Sequence, residues 1–382
     1  MWHPDDFLAR LYEETRERRE REAMGESAQA RQARIRRRLA GALALDAGTG
    51  TESVPTFGPF VGAPAGSLAD SPPPPMNPRL LERTECAGYV RERIELTTAE
   101  GLRMPVYVLV PTGRTGPHPI AIACHGHGSG SREAIGLAPD GSELGENAGR
   151  HGRFASELAL RGFAVAVPEL LGFGDRRLLK DAEAGPETYS CYRLAVHLLM
   201  HGRTLAGVRI AETLRAVDYM AARPDCDAAR IGAMGYSGGG LVAGFAAALD
   251  GRIGATALCG YANLFRDSVL ASAHCLDNYV PGLLEAGELP DLLGLIAPRP
   301  LLLSSGTTDP LFPIESVRAA HERLRKLYSE AASGSGEHDP AEPRMADCLP
   351  GPLPELDVFE GGHAVNGARA YEWLQAWAGL NG

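Results

Sequence analysis

Apolar and polar positions along this chain fall into three regimes. Over residues 5–45 the apolar positions are sparse, with Phe7, Leu8, Leu11, Tyr12, Ile35, Leu39 and Leu43 set among arginines and glutamates. That pattern predicts a helical arm or hairpin whose apolar stripe is too thin to form a core alone. It should pack on the rest of the chain or on another copy, the alternative being a solvated charged helix. Residues 49–78, including Pro72-Pro73-Pro74-Pro75, lack periodicity and read as a partly extended surface linker. The third regime is dense in apolar runs. The division is therefore an arm over 1–48, a linker over 49–85 and a main domain over 86–382.

Within the main domain, Tyr89–Leu96 and Leu102–Val110 alternate like an antiparallel pair joined at Glu100-Gly101. Short continuous apolar runs follow at Pro119–Cys124, Phe163–Pro168, Arg230–Met234, Ala255–Cys259, Arg299–Ser305 and Leu356–Phe359, each reading as a buried strand. Helical patterns at about 149–161, 205–222, 240–249, 314–328 and 366–380 separate them. Strands alternating with helices predict an α/β fold with a mostly parallel, doubly wound sheet flanked by helices. The mixed stretch 260–289 is a candidate pocket wall. A polar, small-residue insert at 329–354 is expected to be mobile and remote from any chemistry.

Charge narrows the partners. Thirty-eight basic against 48 acidic residues leave a net charge of −10, which argues against nucleic acid or an anionic membrane surface. Seven scattered cysteines, mostly in apolar runs, read as reduced thiols and favour the cytoplasm. The first residues show no signal pattern, and no run of eighteen apolar residues occurs.

The chemistry centres on Gly235-Tyr236-Ser237-Gly238-Gly239, which stands between a strand pattern and a helix pattern. A strand, a tight turn and a helix with serine at the tip present the hydroxyl at a helix N-terminus, where developing negative charge is favoured. Small neighbours are needed because the turn crowds its own backbone. The bland alternative is a glycine-rich turn with an incidental serine. A serine needs an imidazole to take its proton and a carboxylate to orient that imidazole. Loops at the C-terminal ends of parallel strands converge, and Asp309 follows one such strand while His363 follows another. In the chain the three run in the order Ser237, Asp309, His363. Asp267, Asp277, Asp291 and His274 are rivals without a strand before them. His125, His127 and His151 suggest a metal site, but no acidic or cysteine ligand stands at a recognisable spacing, so none is expected. The loop His125–Gly130 instead supplies an oxyanion donor: Gly238 N–H provides one, and His127 N–H, or failing that Gly128, the other.

Taken together, His125-Gly126-His127-Gly128, Gly172-Phe173-Gly174-Asp175-Arg176, Gly235-Tyr236-Ser237-Gly238-Gly239, Ala297-Pro298-Arg299-Pro300, Gly306-Thr307-Thr308-Asp309-Pro310 and Gly361-Gly362-His363 make the chain from Tyr89 to Gly379 resemble the α/β-hydrolase superfamily. The details are similar to its dienelactone hydrolase and acetyl xylan esterase-like branch. That resemblance implies Ser237 as nucleophile, Asp309 as acid, His363 as base, and no metal or organic cofactor. Dienelactone hydrolases proper use cysteine as the nucleophile, so serine here points to ester cleavage. The expected activity is hydrolysis of small, short-acyl carboxylic esters through an acyl-enzyme. Tyr236, Phe265, Tyr279 and Phe312 are candidate pocket residues, with core packing the alternative for each, while Glu169, Asp175 and Arg176 either bind a polar substrate or, the favoured reading, close a salt bridge near the mouth. The alternatives are an amide or peptide hydrolase with the same triad, or a non-catalytic scaffold working through the arm, which is also a candidate for self-association.

Overall fold

The apolar runs become strands of one nine-stranded sheet ordered β1-β2-β3-β5-β4-β6-β7-β8-β9. The computed structural model describes residues 2–45, 74–145, 149–333 and 352–380. The strands are β1 (Arg79–Cys86), β2 (Tyr89–Ala99), β3 (Leu102–Pro111), β4 (His118–Cys124), β5 (Ala164–Pro168), β6 (Cys226–Tyr236), β7 (Ile253–Cys259), β8 (Leu301–Gly306) and β9 (Glu355–Phe359). β1 to β3 form an antiparallel meander, and β3 meets β5 antiparallel. Every pair from β5 across to β9 is parallel. Every residue of β4, β5 and β8 is buried, which explains why these strands read as unbroken apolar runs rather than alternations.

Besides several short helical turns, two longer elements escaped the sequence pattern. β1 lies within the expected linker, because an edge strand with Leu80 and Leu81 exposed carries no inside-outside alternation. The helix Cys191–Met200 carries Cys191, Leu194, Ala195 and Leu198 at helical spacing, a stripe that packs on the core, although only Cys191 and Ala195 are fully buried. The rest of the expected linker, and most of the insert expected at 329–354, lie outside the described residues.

Apolar packing occurs on both faces. One cluster joins the sheet to helices Ala28–Ala42, Leu205–Ala221, Gly238–Leu249 and Ile314–Ser333; the other joins it to Phe154–Leu160 and Ala368–Trp377. The arm is two helices, Asp5–Ala23 and Ala28–Ala42, and it packs on its own chain. Ile35, Leu39 and Leu43 are buried there. Tyr12 Oη donates to Glu288 Oε1 at 2.6 Å, Arg38 Nη1 to the Glu285 carbonyl at 3.0 Å, and Thr204 Oγ1 to the Leu43 carbonyl at 2.9 Å. Self-association through the arm gains no support from these contacts. No described helix is long and apolar enough to cross a membrane.

The strand order places the site. From β4 the chain runs to β5 on one side, then crosses to lay β6 on the other. The crevice beyond the C-terminal ends of β4 and β6 is a topological switch point, where ligands bind in open α/β sheets. His125–Gly130 and Ser237 stand at its two lips.

Candidate active site

Ser237 caps the helix Gly238–Leu249 with φ +54° and ψ −125°. A positive φ at a non-glycine residue is held only where the surroundings over-determine it. Here they do. Ser237 N–H donates to the Cys259 carbonyl at 2.9 Å, and its own carbonyl accepts from Gly240 N–H at 2.7 Å. The flanking glycines have steric reasons. A Cβ on Gly235 would stand 2.3 Å from the Gly239 carbonyl oxygen, and one on Gly239 would stand 2.1 Å from that of Cys124.

The turn brings three expected side chains together. His363 Nε2 lies 2.8 Å from Ser237 Oγ, and His363 Nδ1 lies 2.7 Å from Asp309 Oδ2. Asp309 Oδ1 accepts from the N–H groups of Leu311 and Phe312 at 2.9 and 3.1 Å, which leaves Oδ2 for the imidazole. The His363 ring stacks against Phe312 with centroids 5.5 Å apart and lies 5.1 Å from Tyr236 on a tilted face. Tyr236 Oη also donates to the His363 carbonyl at 2.9 Å. Gly260, at φ +61°, leaves room for this ring, since a Cβ there would stand 3.0 Å from His363 Cε1.

The loop after β4 is pinned by buried imidazoles. Gly126 N–H donates to His151 Nε2 at 3.0 Å, and Leu170 N–H to His125 Nε2 at 3.1 Å. Burial pushes the His151 pKa down, and an accepting Nε2 requires that neutral form. Its Nδ1 lies 2.8 Å from Glu133 Oε1, whose other oxygen accepts from Ser129 N–H at 3.1 Å. His125 and His151 are therefore loop supports, and among the described residues the three imidazoles weighed as a metal set do not cluster. The His127 ring lies against Gly238, so that a Cβ on that glycine would stand 3.0 Å from His127 Cε1. The residues of the two expected oxyanion donors are thus in contact through the His127 ring. Gly128, the fallback donor, is held at φ +159° with Glu133 beside it.

The pocket candidates divide. Phe312 flanks the His363 ring. Tyr236 is 2% exposed and lies behind His363, where its hydroxyl serves the histidine backbone and not a ligand. Phe265, 3% exposed, belongs to the core, with its N–H donating to Glu288 Oε2 at 2.7 Å. Tyr279 is half-buried, and its hydroxyl accepts from His274 N–H at 3.1 Å. Two aromatics missed in the sequence line the His127 side of the site: Phe173 and Tyr189 meet the His127 ring edge-on, at 5.0 and 5.6 Å. Phe173 had a signal, since it sits in the glycine-rich loop after β5. Tyr189 had none.

Asp175 and Arg176 form salt bridges, though not with each other, while Glu169 is held by a serine. Arg176 holds Glu212 through two bonds of 2.6 Å. Asp175 accepts from Arg132 at 3.0 and 2.9 Å. Glu169 accepts from Ser131 N–H and Oγ at 2.9 and 2.8 Å. The rival acids are engaged elsewhere: Asp291 in a capping box and with Arg323, Asp267 with the Ser316 hydroxyl, and Asp277 with Arg209. Burial opposes the Asp277 carboxylate, but Arg209 and then His127 outweigh it and hold its pKa below the usual carboxylate value. His274 Nε2 lies 3.2 Å from Ser268 Oγ.

The Dienelactone hydrolase family matches this chain over residues 143–332. The chain is similar to the Bacillus subtilis (strain 168) protein named "Putative hydrolase YtaP", with 33% identity over 281 residues that cover 72% of this chain and 84% of that one. Among solved structures it is similar to a "putative acetyl xylan esterase" from Bacteroides fragilis NCTC 9343, with a TM-score of 0.63 and 15% identity over 88% of this chain and 77% of the other. A glucuronoyl esterase from Solibacter usitatus gives a TM-score of 0.56 and 16% identity, over 82% of this chain and 88% of the other. At such identities the solved structures speak for a shared fold.

Proposed function

The chain belongs to the dienelactone hydrolase family, and we propose that it is a serine hydrolase cleaving small, short-acyl carboxylic esters. The observation that carries this reading is the relay of 2.8 Å from Ser237 Oγ to His363 Nε2 and 2.7 Å from His363 Nδ1 to Asp309. The first spacing lets His363 take the serine proton, and the second lets Asp309 orient and stabilise the imidazole.

In this mechanism Ser237 Oγ attacks the ester carbonyl while His363 Nε2 takes its proton, and Asp309 stabilises the resulting imidazolium. The oxyanion rests on the N–H groups of Gly238 and His127. His363 then returns the proton to the leaving alcohol, and water deprotonated by the same imidazole clears the acyl-enzyme. The His127 ring packs against Gly238 and the Phe312 ring against His363, the residues on either side of the proposed nucleophile's chemistry, which supports a small acyl group. The esterase names of the fold neighbours agree with ester chemistry. All six described cysteines are free, which supports the cytoplasmic setting expected from the sequence.

The test is hydrolysis of p-nitrophenyl esters from acetyl upward. The wild type should be fastest on acetyl, and Ser237→Ala should lose about 10⁴-fold or more. A folded wild type inactive on the whole series would overturn the proposal.

A further inference from the structure

We propose that His127, Cys191 and Cys275 form a binding site for a thiophilic divalent cation of the zinc class, and that filling it closes the neighbouring hydrolytic centre. The inhibitory half rests on the hydrolase reading above; the binding half does not.

The three side chains come from the loop after β4, the start of the helix Cys191–Met200 and the segment just before Leu276–Asn278. Their ligand atoms all lie within 4.8 Å of one another. Around a tetrahedral zinc, bond lengths of about 2.3 Å to sulfur and 2.0 Å to nitrogen put neighbouring ligand atoms roughly 3.5–3.8 Å apart. The set therefore needs to close by at most about 1 Å.

The environment suits the ion. His127 Nε2 is buried with no hydrogen-bond partner, an uncompensated polar atom that a cation would satisfy. Arg209 Nη2 donates to Cys191 Sγ at 3.2 Å, which favours the thiolate that metal binding requires. Arg209 is itself paired with Asp277, so its charge is compensated and does not repel an incoming cation unopposed. Two thiolates would neutralise the double charge, and sulfur ligands select zinc-like ions over magnesium or calcium. Cys275 and His127 are only partly buried, which leaves a route of entry. Three protein ligands leave a fourth position for water.

His127 links the two centres. Its ring is the ligand and its backbone N–H is the proposed oxyanion donor, while the ring also lies against Gly238, which carries the other donor. Drawing the ring toward two sulfurs moves the donor from its place. Shifts of about 1 Å in catalytic geometry can cost on the order of 100-fold in rate.

The experiment uses the full chain, reduced and stripped with a chelator, titrated with Co²⁺ as a spectroscopic probe. One equivalent should produce a thiolate-to-cobalt charge-transfer band together with tetrahedral ligand-field bands, and Zn²⁺ should displace both. In parallel, Zn²⁺ should suppress hydrolysis of p-nitrophenyl acetate and EDTA should restore it. Cys275→Ser should keep its metal-free hydrolysis, lose most of the charge-transfer band and need about 100-fold more Zn²⁺ for the same inhibition. His127→Ala, read by the spectrum alone, should also lose the tetrahedral signature. Absence of a charge-transfer band in the wild type overturns the site. So does a band or an inhibition that Cys275→Ser leaves unchanged. If the wild type cleaves no ester, the ester-hydrolase reading fails, while the cobalt spectrum still decides the metal site.

Discussion

Replacing Gly239 by alanine adds one methyl group and should disable the site. Gly239 is the second residue of the helix after Ser237, and its Cβ would stand 2.1 Å from the Cys124 carbonyl oxygen and 2.4 Å from that of His125. A relaxed carbon-to-oxygen contact is about 3.3 Å, so helix and strand end must part by roughly 1 Å. Both obstacles are backbone atoms, which no rotamer change can move. The displaced parts are the ones that matter: Ser237 on one side, and on the other the loop holding His127. Misplacement on that scale is expected to lower kcat by about 100-fold, or about 2.7 kcal/mol of transition-state stabilisation. Overpacking should also cost about 1–3 kcal/mol of stability. The assay is steady-state hydrolysis of p-nitrophenyl acetate beside thermal unfolding. Gly251→Ala is the control, because nothing lies within 4 Å of its added Cβ and its φ is ordinary. A folded Gly239→Ala with kcat within about threefold of wild type would refute the steric argument for this turn.

Three further outcomes follow from the same geometry. In Asp309→Asn, the amide oxygen keeps the Leu311 and Phe312 N–H groups, so its NH₂ faces His363 Nδ1 and forces the wrong tautomer; kcat should fall about 10³- to 10⁴-fold with little change in thermal midpoint. Arg209→Met strands the buried Asp277 carboxylate and should cost about 3–5 kcal/mol in a denaturant titration. His151 has its folded pKa pushed down from 6.5 by burial, so its contribution to stability is present above that value and is lost as pH falls through it toward the folded pKa. A scan of thermal midpoint from pH 7 to 5 should fall less steeply for His151→Gln than for the wild type, and equal slopes would contradict the assignment.

The sequence carried the site better than its walls. That Ser237, Asp309 and His363 come together was legible because each stands shortly after a strand run, and parallel strands deliver such positions to one edge. The arm was legible as helices, and its thin stripe correctly demanded a partner surface, found in its own domain. What hid in the sequence was contact between distant segments. Tyr236 and Phe265 looked like pocket residues because aromaticity says nothing about which way a ring faces. Tyr189, Cys191 and Cys275 gave no local signal, for only the fold brings them beside His127. β1 was invisible because an edge strand exposed along most of its length needs no apolar alternation.

The central claim is that Ser237 is a nucleophile activated by His363, and a fluorophosphonate probe tests it most directly. Incubation of the purified chain followed by peptide mass spectrometry should find one adduct, on Ser237. Labelling should be absent in Ser237→Ala and strongly slowed in His363→Ala, in which no imidazole stands 2.8 Å from the hydroxyl. An adduct on another residue, or labelling of Ser237 at an unchanged rate in His363→Ala, would contradict the account.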